Sequence, residues 1–61
     1  MALLIKPGDF VRHPTVEDWG IGQIQTIIGD RVTVNFENAG KRLINAQVID
    51  LIPVRIDRRE D

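Results

Sequence analysis

His13 is the only histidine in the chain, so any acid–base chemistry would pair it with Asp or Glu alone. The chain contains no serine, cysteine or tyrosine, and its side-chain hydroxyls are those of three threonines, Thr15, Thr26 and Thr33. A nucleophile beside a base is therefore not indicated. One histidine among scattered carboxylates also lacks the ligand spacing of a metal site. We predict no catalytic, cofactor-binding or metal-binding residues, and we interpret His13 as a strand-end residue that fixes the loop before Pro14.

Length and composition narrow the function classes further. Sixty-one residues make one small domain, which buries about 60% of its unfolded surface and has no room for an enclosed active site. Hydrophobic residues are 43% and charged residues 28% of the chain, as in soluble globular proteins. The absence of cysteine excludes disulfides, and we expect a cytoplasmic location. A formal net charge of −1 gives no overall attraction to phosphate, so nucleic acid is a less favoured partner than protein.

The chain divides into three segments. We predict an apolar N-terminal segment over 1–6, a barrel over 7–54, and a charged, fraying tail over 55–61. The apolar stretch 1–5 is too short for a signal peptide or a membrane span, and it ends at Lys6-Pro7-Gly8. We therefore expect no membrane association. The N-terminal segment would instead pair with its own barrel or with that of a second copy.

Five short runs rich in β-branched and aromatic residues predict an all-β domain. They cover 9–13, 23–28, 31–37, 41–44 and 51–54, and Pro53 restricts the last run to a sheet edge. Gly20 and Gly22 predict a bulge or tight bend before the second run. The predicted fold is a small five-stranded SH3/Tudor-like barrel with one short helical turn before the last strand.

Turn residues set the connections between these runs. The two-residue link Gly29-Asp30 predicts a hairpin with a primed turn. A second turn is expected at 38–40, where Asn38 or Gly40 can take a positive φ. The loop from Thr15 to Asp18 is polar. Asn45 is a plausible N-cap for the helical turn over 45–50.

Alternation in the run 31–37 places Val32, Val34 and Phe36 on one face, which defines the core side. A small barrel has few inward positions, so some of the remaining isoleucines must lie outside, where a partner strand or a second copy would cover them. The isoleucines in question are Ile21, Ile28, Ile44 and Ile52. The predicted core comprises Val11, Ile24, Ile27, Val32, Val34, Phe36, Leu43, Val48 and Leu51.

Four motifs together resemble a Tudor-like (SH3-type) barrel over about residues 7–52. They are Gly8-Asp9-Phe10-Val11 with His13-Pro14, Trp19-Gly20-Ile21-Gly22, Val32-Thr33-Val34-Asn35-Phe36, and Gly40-Lys41-Arg42-Leu43. Similar modules are the C-terminal module of UvrD/PcrA-type repair helicases and the RNA-polymerase-interacting domain of CarD-type regulators and the transcription-repair coupling factor. Short stand-alone bacterial proteins that form a domain of unknown function are more similar still. The resemblance implies a device that docks on RNA polymerase, chiefly on its β subunit.

We therefore expect a non-enzymatic module that binds a protein partner by strand addition or by side-on docking. By resemblance the partner is RNA polymerase or a transcription or DNA-repair complex, and a homo-oligomer through exposed isoleucines is also open. The predicted interaction surface comprises Arg12, Trp19, Ile21, Lys41 and Arg42. Trp19 either plugs one end of the barrel or anchors an interface. The alternative function is direct nucleic-acid binding through Arg12, Lys41, Arg42 and the tail.

Overall fold

A computed structural model describes residues 5–55, which form one five-stranded antiparallel sheet. The strands follow one another in the order β4-β3-β2-β1-β5 across the sheet. Their bounds are β1 Phe10–Arg12, β2 Ile21–Ile28, β3 Arg31–Phe36, β4 Gly40–Asn45 and β5 Ile52–Pro53, with a 3-10 helix over Glu17–Trp19 between β1 and β2. The predicted all-β class with five strands is confirmed.

The two predicted strand connections have the expected form. Ile28 pairs with Arg31, so Gly29 and Asp30 are the two loop residues of the β2–β3 hairpin. Gly29 has a φ of 58°, and Asp30 has a negative φ, which is the sign pattern of a type II′ turn. In the β3–β4 turn the positive φ belongs to Gly40, at 77°, and not to Asn38.

The two loops that flank the sheet contain short hydrogen-bonded turns. Asn45 opens the predicted helical turn, because its backbone oxygen accepts the N–H of Ile49 at 2.9 Å and its Oδ1 accepts the N–H of Gln47 at 2.9 Å. The predicted polar loop after β1 leads into the 3-10 helix. That helix ends where the N–H of Gly20, at a φ of 76°, donates to the oxygen of Glu17 at 3.0 Å.

The sheet is barrel-like but open, since its edge strands β4 and β5 do not pair within residues 5–55. The five-stranded sheet predicted from the sequence thus takes an open, barrel-like form within these residues. β5 is only two residues long, and Pro53 has no N–H to donate across the gap. The prediction that Pro53 lies on an edge strand is confirmed.

The interior is dry, although two predicted core residues are outside it. Leu43 is 66% exposed and Val48 is 73% exposed, whereas Ile44 is only 5% exposed. Val32 pairs with Ile44 and Thr33 pairs with Leu43. Because paired residues share a face of the sheet, Ile44 lies on the core side with the buried Val32, and Leu43 lies on the opposite face. Val48 lies in the exposed turn after β4. The buried core is Val11, Ile24, Val32, Val34, Phe36 and Ile44, with Ile27 and Leu51 packed against it.

Gly22 makes room for the core and does not form a bulge. It stays in register with Val11 and Phe36, and the register shift lies between Ile24 and Thr26 instead. A Cβ on Gly22 would lie 2.4 Å from Cγ1 of Val34 and 2.7 Å from Cδ1 of Phe36. The bulge is thus not at Gly22, whereas the other predicted possibility, a tight bend before β2, fits the positive φ of Gly20. Glycine at position 22 is required by close packing.

The predictions for residues 1–4 and 56–61 lie outside the described residues. Ile5, at the start of the described part, packs partly buried against the core. Of the isoleucines that were hard to place inside, Ile28 and Ile52 are exposed and Ile21 is half-buried. No helix within residues 5–55 is long and apolar enough to cross a membrane.

Candidate interaction surface

The register of the strands divides the predicted interaction surface between two faces of the sheet. Arg12, Ile21 and Lys41 lie on the face opposite the core, which we call the outer face. Arg42 pairs with the buried Val34 and so lies on the core side of β4, at the open edge. The structure therefore does not assemble the five predicted residues into one patch.

On the outer face, two rows of side chains cross the sheet. Arg12 on β1 pairs with Ile21 on one side and with Ile52 on the other. The next row holds Phe10, Gln23, Asn35 and Lys41, on β1, β2, β3 and β4 in turn. A shallow open groove of about 360 Å³ lies between these rows, lined by Phe10, Ile21, Gly22, Gln23, Asn35 and Glu37.

Trp19 packs at one end of the core, in contact with three side chains. Its ring lies 4.9 Å from the ring of His13 in an edge-on arrangement and 5.1 Å from that of Phe36. The guanidinium of Arg42 sits 4.9 Å from the centre of the Trp19 ring, in range for a cation–π interaction. Trp19 thus has the position of the predicted plug, and its role as an interface anchor stays a prediction. We call Trp19, His13, Phe36 and Arg42 the Trp19 cluster.

His13 is buried and holds the loop that follows it. Its Nδ1 accepts the backbone N–H of Thr15 at 3.2 Å and that of Val16 at 3.1 Å. These bonds require an unprotonated Nδ1, which makes the neutral ring with its proton on Nε2 the fitting tautomer. The loop fixed by His13 runs from Pro14 to Val16, just after the position expected. No group of three His, Cys, Asp or Glu within residues 5–55 is arranged to hold a metal ion.

Glu37 and Asn38, which the sequence did not single out, clamp the chain around Trp19. The N–H of Ile21 donates to Oε2 of Glu37 at 3.0 Å, and the N–H of Glu37 donates to the oxygen of Ile21 at 3.0 Å. Asn38 donates its N–H to Trp19 O at 3.0 Å and its Nδ2 to Asp18 O at 3.1 Å. These partners are 16 to 20 residues apart for the side-chain bonds, so no local sequence signal could reveal them.

Along its outer edge, the β4 backbone has N–H and C=O groups without a partner in the described part of the chain. A two-residue hairpin closes on a hydrogen-bonded pair, which here is Ile28 and Arg31. The backbone N–H and C=O groups of successive β3 residues then point alternately toward β2 and toward β4. The N–H of Glu37 donates to Ile21 on the β2 side, in agreement with this alternation. The backbone groups of Val32 and Val34 therefore point toward β4, where they hydrogen-bond to their partners Ile44 and Arg42. The N–H and C=O groups of Lys41 and Leu43 point away from the sheet.

The two sheet edges differ in what they offer a partner. β4 has six residues and no proline, with Lys41 and the exposed Leu43 beside its outward-pointing backbone. β5 has two residues, one of which is Pro53. Short edges, proline and charged side chains are usual protections against strand pairing. β5 is short and contains proline, whereas the protection on β4 is the charge of Lys41 and Arg42, which a strand of opposite charge would neutralise. Within residues 5–55, β4 is the edge suited to accept another strand.

A family model described as "Protein of unknown function (DUF3553)" matches residues 5–54. The chain belongs to this family. The match covers the whole described sheet, from the residue before the first turn to the residue after β5. No curated protein and no solved structure matches the chain.

Proposed function

We propose that this domain is a non-enzymatic interaction module that binds a protein partner by strand addition at β4. The observation that carries the proposal is the edge from Lys41 to Leu43, on the longer of the two edge strands, where the outward backbone groups have no partner within residues 5–55. Main-chain hydrogen bonds supply affinity in strand addition, and side chains beside the strand supply specificity. His13 is engaged in holding a loop, which supports a structural role over a chemical one.

The side chains of β4 select the chemistry of the partner strand. Lys41 lies on the outer face, Arg42 on the core side, and neither is within salt-bridge distance of a carboxylate among the described residues. Opposite charges on adjacent strands stabilise pairing, and like charges oppose it. A fitting partner strand therefore carries Asp or Glu beside Lys41 and an apolar residue beside Leu43.

By the resemblance to Tudor-like modules of repair helicases and transcription regulators, the partner we propose is RNA polymerase, through its β subunit. The location would then be cytoplasmic. A complex formed by strand addition should depend less on salt than one formed on phosphates, because most of its hydrogen bonds join uncharged backbone groups.

The test uses purified bacterial RNA polymerase and a variant that alters only the free edge. Leu43→Pro removes the outward N–H without removing a β3–β4 hydrogen bond, and proline is tolerated on edge strands. We expect Leu43→Pro to weaken binding at least tenfold, whereas Leu43→Ala, which keeps the N–H, weakens it much less. Binding is measured by surface plasmon resonance with the domain immobilised. Thermal unfolding shows whether both variants fold.

Two results would count against the proposal. If wild type binds no more polymerase than a Phe36→Ala variant, the polymerase must be abandoned as partner. If Leu43→Pro binds as well as Leu43→Ala, docking does not use the β4 edge.

A further inference from the structure

We infer that the outer face is a second, separate binding site, which takes single-stranded nucleic acid. The groove between its two rows offers a half-buried ring, Phe10, beside two amides, Gln23 and Asn35. Bases stack on aromatic rings whatever their sequence, and amides can hydrogen-bond a base edge that is not paired. Of the β4 edge, this arrangement uses the Lys41 side chain but none of the outward backbone groups.

The two amides stand side by side and are largely free. Gln23 on β2 and Asn35 on β3 are direct partners in the ladder, and Phe10 pairs with Gln23 from β1. The Asn35 side chain makes no hydrogen bond with the described residues, and Gln23 donates only a long bond of 3.3 Å to the oxygen of Gly8. A base stacked on Phe10 would thus meet donors and acceptors at its edge.

Charge is segregated toward this face. Three cations, Arg12, Arg31 and Lys41, lie on it with the single carboxylate Glu37. The other five carboxylates of the described residues lie in loops, turns and the 3-10 helix: Asp9, Glu17, Asp18, Asp30 and Asp50. None of the three cations is within salt-bridge distance of a described carboxylate. The net charge of −1 therefore conceals a positive face that complements phosphate.

The positions of two cations fit a strand that crosses the groove. Arg12 is on β1 and Lys41 is on β4, and these strands are three strand spacings, or about 14 Å, apart. Lys41 ends the row that holds Phe10, and Arg12 lies in the adjacent row next to Phe10, so phosphates on either side of a stacked base would meet a cation. Duplex DNA fits poorly, because its bases are stacked and paired and a Phe10 ring on a sheet face could not reach them.

Neighbouring residues on β4 provide a matched test. Lys41→Ala and Arg42→Ala remove the same charge one residue apart, on opposite faces of the sheet. Fluorescence anisotropy with labelled oligothymidylate or oligouridylate of about 12 nucleotides, a length within the site sizes of small barrels, measures binding at about 50 mM salt. We expect Lys41→Ala and Arg12→Ala each to weaken binding about three- to tenfold and to lower the salt slope by about 0.7. Arg42→Ala should change binding less than twofold.

Two further readouts keep the proposal testable if a variant folds poorly. Phe10→Leu keeps an apolar side chain but removes the ring, and it should weaken binding about fivefold or more, as expected for the loss of base stacking. Addition of unlabelled oligonucleotide to the wild type should shift the amide resonances of Gln23 and Asn35 and leave that of Ile44 unchanged. The oligouridylate arm shows whether a 2′-hydroxyl matters.

The proposal is overturned if the wild type does not bind either oligonucleotide at this salt concentration, or if Arg42→Ala weakens binding as much as Lys41→Ala. The second outcome would mean that binding depends on the net charge of the domain and not on the outer face. Failure of this test does not count against strand addition, which is tested separately with Leu43→Pro. That variant changes neither the groove nor the charges of the outer face.

Discussion

At the scale of single residues, Gly22 and His13 determine how closely the chain packs around Phe36 and Trp19. Position 22 requires glycine, because a Cβ there would overlap the side chains of Val34 and Phe36. His13 is buried against the Trp19 ring, and its Nδ1 accepts two backbone N–H groups. Both residues serve the structure that carries the interaction surfaces.

We predict that Gly22→Ala destabilises the domain by about 1–3 kcal/mol through overpacking. Gly22 has no positive φ, so backbone strain does not contribute. Urea unfolding measures the change, and Val34→Ala in the same chain should recover part of it because it removes the nearest atom. Additive losses in the double variant would show that the clash is not the cause.

His13→Ala should cost about 1–3 kcal/mol, because the N–H groups of Thr15 and Val16 lose their acceptor. Asparagine is the matched control, since its Oδ1 can stand where Nδ1 accepts. Trp19 is the only tryptophan, so its fluorescence reports the end of the core directly during unfolding. An alanine variant as stable as the asparagine variant would contradict this role.

At the scale of elements, the β3–β4 turn organises the segment that carries Trp19. Glu37 and Asn38 hold this segment by hydrogen bonds from both backbone and side chain. We predict that Glu37→Ala destabilises the domain by about 0.5–1.5 kcal/mol, because the N–H of Ile21 loses its partner. Glu37→Gln keeps an acceptor oxygen and should lose less than half as much in urea unfolding. Equal losses would mean that the charge of Glu37, and not its hydrogen bond, matters.

The elements also show how far the sequence could predict the fold. The strands β2 and β3 and their Gly29-Asp30 turn follow from local residue types, and so does the inward face of β3. The face of β4 does not, because Lys41, Arg42, Leu43 and Ile44 contain no alternation. Only its register with β3, set by the length of the 37–39 loop, turns Ile44 inward and Leu43 outward. The hydrogen bond between Glu37 and Ile21 could not be predicted from the sequence either, since it joins residues that are distant along the chain.

The predicted interaction residues were separated for the same reason. Lys41 and Arg42 read as one basic pair in the sequence, yet strand geometry places adjacent residues on opposite faces. The residue type of Trp19 left open whether it plugs the barrel or anchors an interface, and its contact with Arg42 could be seen only in the tertiary structure.

At the scale of the whole molecule, a small core leaves little margin for truncation. Phe36→Ala should cost about 3–5 kcal/mol, which approaches the total stability of a domain of this size. Leu43→Ala should change stability by no more than about 0.5 kcal/mol, because Leu43 is exposed. Thermal unfolding followed by far-UV circular dichroism distinguishes them. A large loss for Leu43→Ala would contradict the register of β4.

The whole molecule thus presents a dry interior and two distinct outer features, a free strand edge and a positive sheet face. The edge is the central claim, because it supplies the proposed function. Amide hydrogen exchange along β4, with and without RNA polymerase, tests it most directly. We predict that Arg42 and Ile44 are already protected in the free domain, and that Lys41 and Leu43 exchange rapidly there and become protected only in the complex. Lys41 and Leu43 amides that exchange equally fast in the free and bound domain would contradict strand addition at β4.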